Sequence, residues 1–296
     1  MYEARVLTVA ALNPASGALL FALSVAASLI GGMLGMAGGV LIVPALTLLG
    51  IDIRTAIAAS IVSVIASSCA SAAPLLRTQL TNIRLALVLE LATTLGAVSG
   101  VLLTGLLPTS LLFLIFALIL IVSAQQMLAR RIEAAAPMEA SAGEWGSLLR
   151  LHGSYADPTT GTEIGYVVKR LPIAMGLMYA AGLVSALLGI GSGVLKIPAM
   201  DSALRLPLKV SSATSNFMIG VTAAASAGAY FMRGDIRPAI AGPVALGSVA
   251  GAILGARLFI AVSSERLRLF FVVVLGFLAL QMLLQGFGIH AFGAMH

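Results

Sequence analysis

A lysine inside a long apolar run is unstable there unless something answers its charge, and this chain places Lys196 three residues past Gly193 within such a run. The surrounding residues read Gly189-Ile190-Gly191-Ser192-Gly193-Val194-Leu195-Lys196-Ile197-Pro198. The backbone N–H groups of a glycine-rich break, the Ser192 hydroxyl and the Lys196 ammonium together make a donor set for a small anion. The competing reading is that Lys196 snorkels to an interface or forms a structural ion pair. Thr214, Ser215 and Asn216 form the next polar cluster. Such hydroxyls and amides either ligate oxyanions without charge or bond across helices. Glu90 and Arg257 are the remaining charges inside apolar runs, as candidates for carrying a coupling proton or for ion pairing; Glu90 can pair with Arg257 or with Lys196. Ser192 and Lys196 also stand four apart, the spacing of a serine nucleophile and a lysine base on one helix face. The flanking glycines oppose a helix at Ser192, and no histidine lies in these runs, since His152, His290 and His296 belong to the central loop and the tail.

These residues sit in an element that occurs twice. Gly35-Met36-Ala37-Gly38-Gly39-Val40-Leu41-Ile42-Val43-Pro44 matches the second motif position for position at an offset of 154 residues. A glycine costs about 1 kcal/mol per helix-interior position relative to alanine, so three within five residues end or break a membrane helix. In a bilayer the freed backbone groups must line a cavity or meet a ligand. Transporters direct broken half-helix N-termini, each carrying roughly +0.5 charge, at anionic substrates. Close packing through small residues is the alternative for a single copy; two matching copies favour broken helices. The copies differ chemically: Ser192, Lys196 and Asn216 correspond to Gly38, Ile42 and Ile61, with Ser60 and Ser63 as the polar counterpart in the first half. Function is therefore expected to concentrate in the second half.

Composition sets the class. Sixty per cent of residues are hydrophobic, 9% are charged and mean hydropathy is +1.08, values that exclude a water-soluble domain. The net charge of +6 would suggest nucleic acid in a soluble protein, but most basic residues lie in short loops between apolar runs, as the positive-inside bias requires. The one cysteine, Cys69, excludes an intrachain disulfide and is assigned to packing. No cofactor or metal set is legible, and no Walker motif accompanies the apolar runs.

The expected fold is an all-α integral membrane protein with eight to ten hydrophobic segments in two homologous halves, each with a glycine-broken helix. Residues 1–128 form the first membrane repeat, 129–170 a hydrophilic cytoplasmic linker and 171–296 the second repeat. Within the linker, Trp145, Leu148, Leu149 and Leu151 could form an amphipathic surface helix. Five crossings per half divide the loop cations eleven against four and make the halves inverted repeats; four crossings divide them ten against five and make the halves parallel. Inversion is preferred, and the linker is cytoplasmic in both.

The twin glycine motifs closed by proline, the small and hydroxyl residues after each (Ala56 to Ser60, Ser211 to Ser215) and the duplicated plan with a hydrophilic middle resemble the TauE/SafE sulfite-exporter family. The resemblance covers roughly 17–128 and 171–287 and implies a carrier of sulfite or an organosulfonate in the bacterial inner membrane, or of another organic anion. Ala37 and Ser192 depart from the usual glycine run. The expected substrate-binding set is Gly35, Gly38, Gly39, Ser60, Gly189, Gly191, Ser192, Gly193, Lys196, Thr214, Ser215 and Asn216, with Glu90 and Arg257 as coupling or ion-pair candidates. A secondary carrier of a small anion, with a proton or sodium ion as coupling partner, is the leading function. Expected partners are the bilayer and, as an option, a second copy in a homodimer; no nucleic acid is expected. A carboxylate carrier and a Ser192/Lys196 intramembrane hydrolase are the alternatives.

Overall fold

The computed structural model describes residues 14–35, 38–103, 145–156, 161–188 and 192–287, with isolated positions between 114 and 128. The glycine-rich runs and loop residues divide the apolar sequence into helices α1 (Pro14–Leu34), α2 (Gly39–Leu48), α3 (Ile53–Arg77) and α4 (Ile83–Leu103). After a one-turn α5 (Trp145–Leu148) and strands β1 (Gly153–Ala156) and β2 (Glu163–Tyr166) come α6 (Leu171–Leu188), α7 (Gly193–Ala199), a π-helical turn (Met200–Leu204), α8 (Leu208–Met232), α9 (Pro238–Ala261) and α10 (Ser264–Gly286). Four described helices, spanning Ser16–Leu34, Arg54–Arg77, Ile83–Leu103 and Pro238–Ala261, are long and apolar enough to cross a membrane. The fifth segment expected in the first half, Leu111 to Leu128, falls mostly outside the described residues.

Local chemistry accounts for the helix ends. Asp52 caps α3, its carboxylate accepting from the N–H groups of Arg54 (3.1 Å) and Thr55 (3.4 Å). Pro238 opens α9, where a missing N–H leaves nothing unsatisfied. Gly35 and Gly38, with φ of +75° and +74°, carry the chain out of α1 and into α2 through backbone that other residues rarely adopt.

The two halves exchange partners. Gly247, Gly251 and Gly255 of α9 lie against the carbonyls of Phe21, Val25 and Leu29 of α1; Gly96 and Gly100 of α4 lie against those of Tyr179 and Leu183 of α6. Both registers rise together, so each pair is parallel, and in each a first-half helix meets a second-half helix. No room remains for a side chain at these glycines, which lets the backbones touch. At the centre, α3 and α8 run antiparallel: Ser68, late in α3, bonds the backbone of Asn216 and Gly220, while the earlier Ala58, Ile61 and Val64 pack with the later Ile219, Ala223 and Tyr230. Ser63 of α3 and Ser248 of α9 share a hydrogen bond of 2.5 Å.

Two expectations need correction. The stretch after Trp145 is no extended surface helix: one turn leads into an antiparallel hairpin with Gly153 opposite Tyr166 and Ala156 opposite Glu163. Tyr155 and Tyr166 are buried, and the hairpin docks where Asn82 Nδ2 donates to the Leu151 carbonyl (2.8 Å) and the Tyr166 hydroxyl (3.0 Å). Burial pushes the Tyr166 hydroxyl pKa above its usual value, with the Asn82 bond opposing. Cys69 is exposed on α3 rather than packed.

Glycine contact predicts a matched mutational response. Gly251→Val and Gly96→Val, which drive a side chain into an opposing carbonyl, should each lower the thermal stability of the purified protein by about 1–3 kcal/mol or more. Gly242→Ala on the open face of α9 should be neutral or stabilising by about 0.4–1 kcal/mol. Equal responses from all three would contradict the close approach.

Candidate functional site

Lys196 is fully buried on α7, and its ammonium is answered from the other half of the molecule. Nζ lies 3.0 Å from Glu90 Oε2 on α4 and donates to Thr222 Oγ1 on α8 at 2.6 Å. The Thr222 hydroxyl donates in turn to Glu90 Oε1 at 2.5 Å, and Thr94, one turn along α4, adds a bond of 3.3 Å to the same oxygen. Ammonium, hydroxyl and carboxylate thus form a closed ring of charge-assisted bonds. Such a ring makes an ion pair tenable in an apolar interior.

Parallel packing of α4 and α8 builds this ring. Asn82 N–H donates to Thr214 Oγ1 at 3.1 Å, and eight residues further along both helices Glu90 meets Thr222. Of the two partners foreseen for Glu90, Lys196 is the one engaged; Arg257 is exposed on α9. Thr222 was absent from the sequence-based set. Its signal was there in outline: the eight-residue spacing of Thr214 and Thr222 repeats that of Asn82 and Glu90.

The other expected residues separate into two places. Ser192, just before α7, is buried, and its hydroxyl has no hydrogen-bond partner among the described residues. It lines a pocket of about 10 Å³ with Ser185, Ser226, Ile61, Val64, Ile219 and Ala223, room for one water-sized occupant. Gly193 begins α7, one turn from Lys196. The contact a serine–lysine hydrolase requires is not made, because Nζ is bonded to Glu90 and Thr222 while Ser192 Oγ has no partner among the described residues.

The second place is the first glycine turn. Gly35 abuts Ser212 in the second turn of α8, and Gly38 abuts Ser28. Gly39 opens α2, and its carbonyl accepts from Ser60 Oγ at 3.1 Å, a bond holding α3 to the turn. Asn216 Nδ2 lies 3.5 Å from the Gly32 carbonyl, while Asn216 Oδ1 and Ser215 Oγ are buried without partners among the described residues. Thr214 instead bonds the loop before α4. Gly189 and Gly191 lie outside the described residues.

A family model described as sulfite exporter TauE/SafE matches residues 20–282, nearly the whole chain. No curated protein and no solved structure matches it.

The ion pair predicts non-additive stability. Lys196→Met or Glu90→Gln alone leaves a buried group unmatched and should cost about 3–5 kcal/mol. The double variant should recover most of that loss, as measured by thermal unfolding in detergent. Additive losses would mean that the two groups do not depend on one another.

Proposed function

The chain belongs to the TauE/SafE sulfite-exporter family, and from that premise we propose that it is a secondary transporter which carries a small anion, sulfite or an organosulfonate, by alternating access between two inverted halves. Helices α3 and α8 occupy the same place in their halves yet run in opposite directions, which supports inversion. The exchanged pairs α1–α9 and α4–α6 support the same reading, because each half braces the other through equivalent glycines. In this plan residues 1–128 and 171–296 are the repeats and 129–170 is the linker between them. The Arg77 to Arg84 loop, the docked hairpin with Arg150, Lys169 and Arg170, and Arg205 before α8 share one end of the bundle, whereas Arg54, Arg233 and Arg237 lie at the other. By the positive-inside bias the hairpin end is cytoplasmic, and the membrane we infer from the family is the bacterial inner membrane.

The observation that carries the mechanism is the buried Lys196–Glu90 pair one helical turn along the chain from Ser192, whose buried hydroxyl has no partner among the described residues. An arriving anion takes the place of Glu90 on the Lys196 ammonium and accepts the Ser192 hydroxyl as a second donor. The displaced carboxylate, left in an apolar interior, takes up a proton, since an isolated buried carboxylate does not stay ionised. Anion and proton thereby move together. The pocket holds only a water-sized occupant in this conformation, so a sulfonate group enters when Ile61 of α3 and Ile219 of α8 separate. The Lys196–Glu90 contact joins the halves, and its exchange for substrate couples occupancy to that separation.

Binding separates the substrate classes. At a hundred times its dissociation constant an anion should add about 2.7 kcal/mol to the stability of the detergent-purified protein. Sulfite, thiosulfate or a small sulfonate should give this shift, sulfate and matched carboxylates should not, and the double variant Lys196→Met/Glu90→Gln should lose it while remaining folded. A carboxylate preference would move the substrate to organic acids. The same anion shift in wild type and double variant would remove Lys196 from the site.

A further inference from the structure

Three serines from separate parts of the second half converge on one cavity. Ser185 of α6, Ser192 before α7 and Ser226 of α8 line the same pocket of about 10 Å³. The Ser192 hydroxyl is buried without a hydrogen-bond partner among the described residues, and the Ser185 hydroxyl makes no bond there either. Leaving a buried hydroxyl unpaired costs stability, and two beside one cavity are spare donors for an acceptor that enters it. Ser226 Oγ donates to the Ala223 carbonyl at 2.9 Å, a neutral bond that yields to a charged acceptor.

The cavity adjoins the buried ion pair. Ser192 precedes Lys196 by four residues, and on α8 Thr222 stands three residues after Ile219 and four before Ser226, both of which line the pocket. Residues three and four apart are neighbours on a helix surface, so the threonine that bonds Lys196 and Glu90 borders the pocket. We propose that Ser185, Ser192 and Ser226 form a cradle of three hydroxyls for the three oxygens of an SO3 group, and that this cradle selects a sulfonate or sulfite over a carboxylate. The rest of the lining is apolar: Ile61 and Val64 of α3, with Ile219 and Ala223 of α8. A sulfonate or sulfite presents three oxygens on one side of sulfur and a carbon or a lone pair on the other, which the apolar residues can face. A carboxylate has two oxygens and leaves one hydroxyl unpaired. Sulfate adds a fourth oxygen, which would lie against apolar side chains without a donor. This role rests on the anion-carrier reading, in which α3 and α8 part to admit the group, and it names the residues that tell substrates apart.

The cradle belongs to one half. At the 154-residue offset of the glycine motifs, Ser185 and Ser192 correspond to Gly31 and Gly38, which carry no side-chain donor. The first half therefore lacks two of the three hydroxyls as well as the lysine, whose counterpart is Ile42.

The test is calorimetric binding of ethanesulfonate and propanoate, which share one alkyl group, to the purified full chain and to its Ser185→Ala and Ser226→Ala variants. The wild type should bind ethanesulfonate more tightly than propanoate. Each variant should weaken ethanesulfonate about ten-fold or more, as loss of a hydrogen bond to a charged group does. Propanoate should be nearly unaffected, because two donors remain for its two oxygens. Ser185→Ala, which removes a hydroxyl that makes no bond, should keep the ligand-free unfolding midpoint of the wild type, so that lost affinity reports the donor and not misfolding. Equal weakening of both ligands, or a wild type that prefers propanoate, would overturn the cradle. Full ethanesulfonate affinity in both variants, with loss in Lys196→Met/Glu90→Gln, would overturn the cradle and leave the carrier reading standing. A wild type that binds neither ethanesulfonate nor sulfite would overturn both.

Discussion

A charge placed in an apolar interior has to be matched there, and in this protein the match for Lys196 comes from 106 positions earlier in the chain. That requirement fixes where α7, α4 and α8 must meet, since Nζ, the Glu90 carboxylate and the Thr222 hydroxyl close one ring. Pairs of this kind contribute little net stability compared with an apolar replacement; what they contribute is that only one arrangement satisfies them. A specific contact of this kind, exchanged for an incoming anion in the proposed mechanism, suits a carrier better than a permanent brace does.

The surrounding scaffold suits the proposed exchange. Helices α1 and α9, and α4 and α6, approach through glycines with their backbones in contact, so each forms a tight pair drawn from both halves. Between them α3 and α8 meet through small and hydroxyl residues, with Ser68 bonding the α8 backbone, while Ser63 shares a hydrogen bond with Ser248 of α9. The Ser192 pocket opens onto this α3–α8 contact. The hairpin, tied through Asn82 to both the α3–α4 loop and Thr214, fastens one end of the same layer.

Much of this was legible in residue types. Uninterrupted apolar runs mark the helices, and the repeated glycine motif marks where α1 gives way to α2, because glycine is costly within a helix and free in the positive-φ turn that Gly35 and Gly38 adopt. Lys196 and Glu90 stood out because charge is rare in such runs. Their pairing was one of several open choices, since no local pattern records a contact between residues so far apart. Thr222 escaped notice because a lone threonine in an apolar helix usually bonds its own backbone, as it also does here to the Met218 carbonyl. The hairpin was hidden by composition: a polar stretch with glycine and proline reads as linker, and only the burial of Tyr155 and Tyr166 against the bundle identifies it as structure. The glycine and hydroxyl residues expected to form one substrate site divide between two places, a separation that depends on helix register and not on residue type.

The most direct test of the exchange at Lys196 is calorimetric titration of the purified protein with a binding sulfonate, which does not itself titrate near neutral pH, in buffers of different ionisation enthalpy. Displacement of Glu90 by the anion predicts proton uptake on binding in the wild type and none in Glu90→Gln, with binding retained in both. Binding without proton uptake in the wild type, or equal uptake in the variant, would contradict the account.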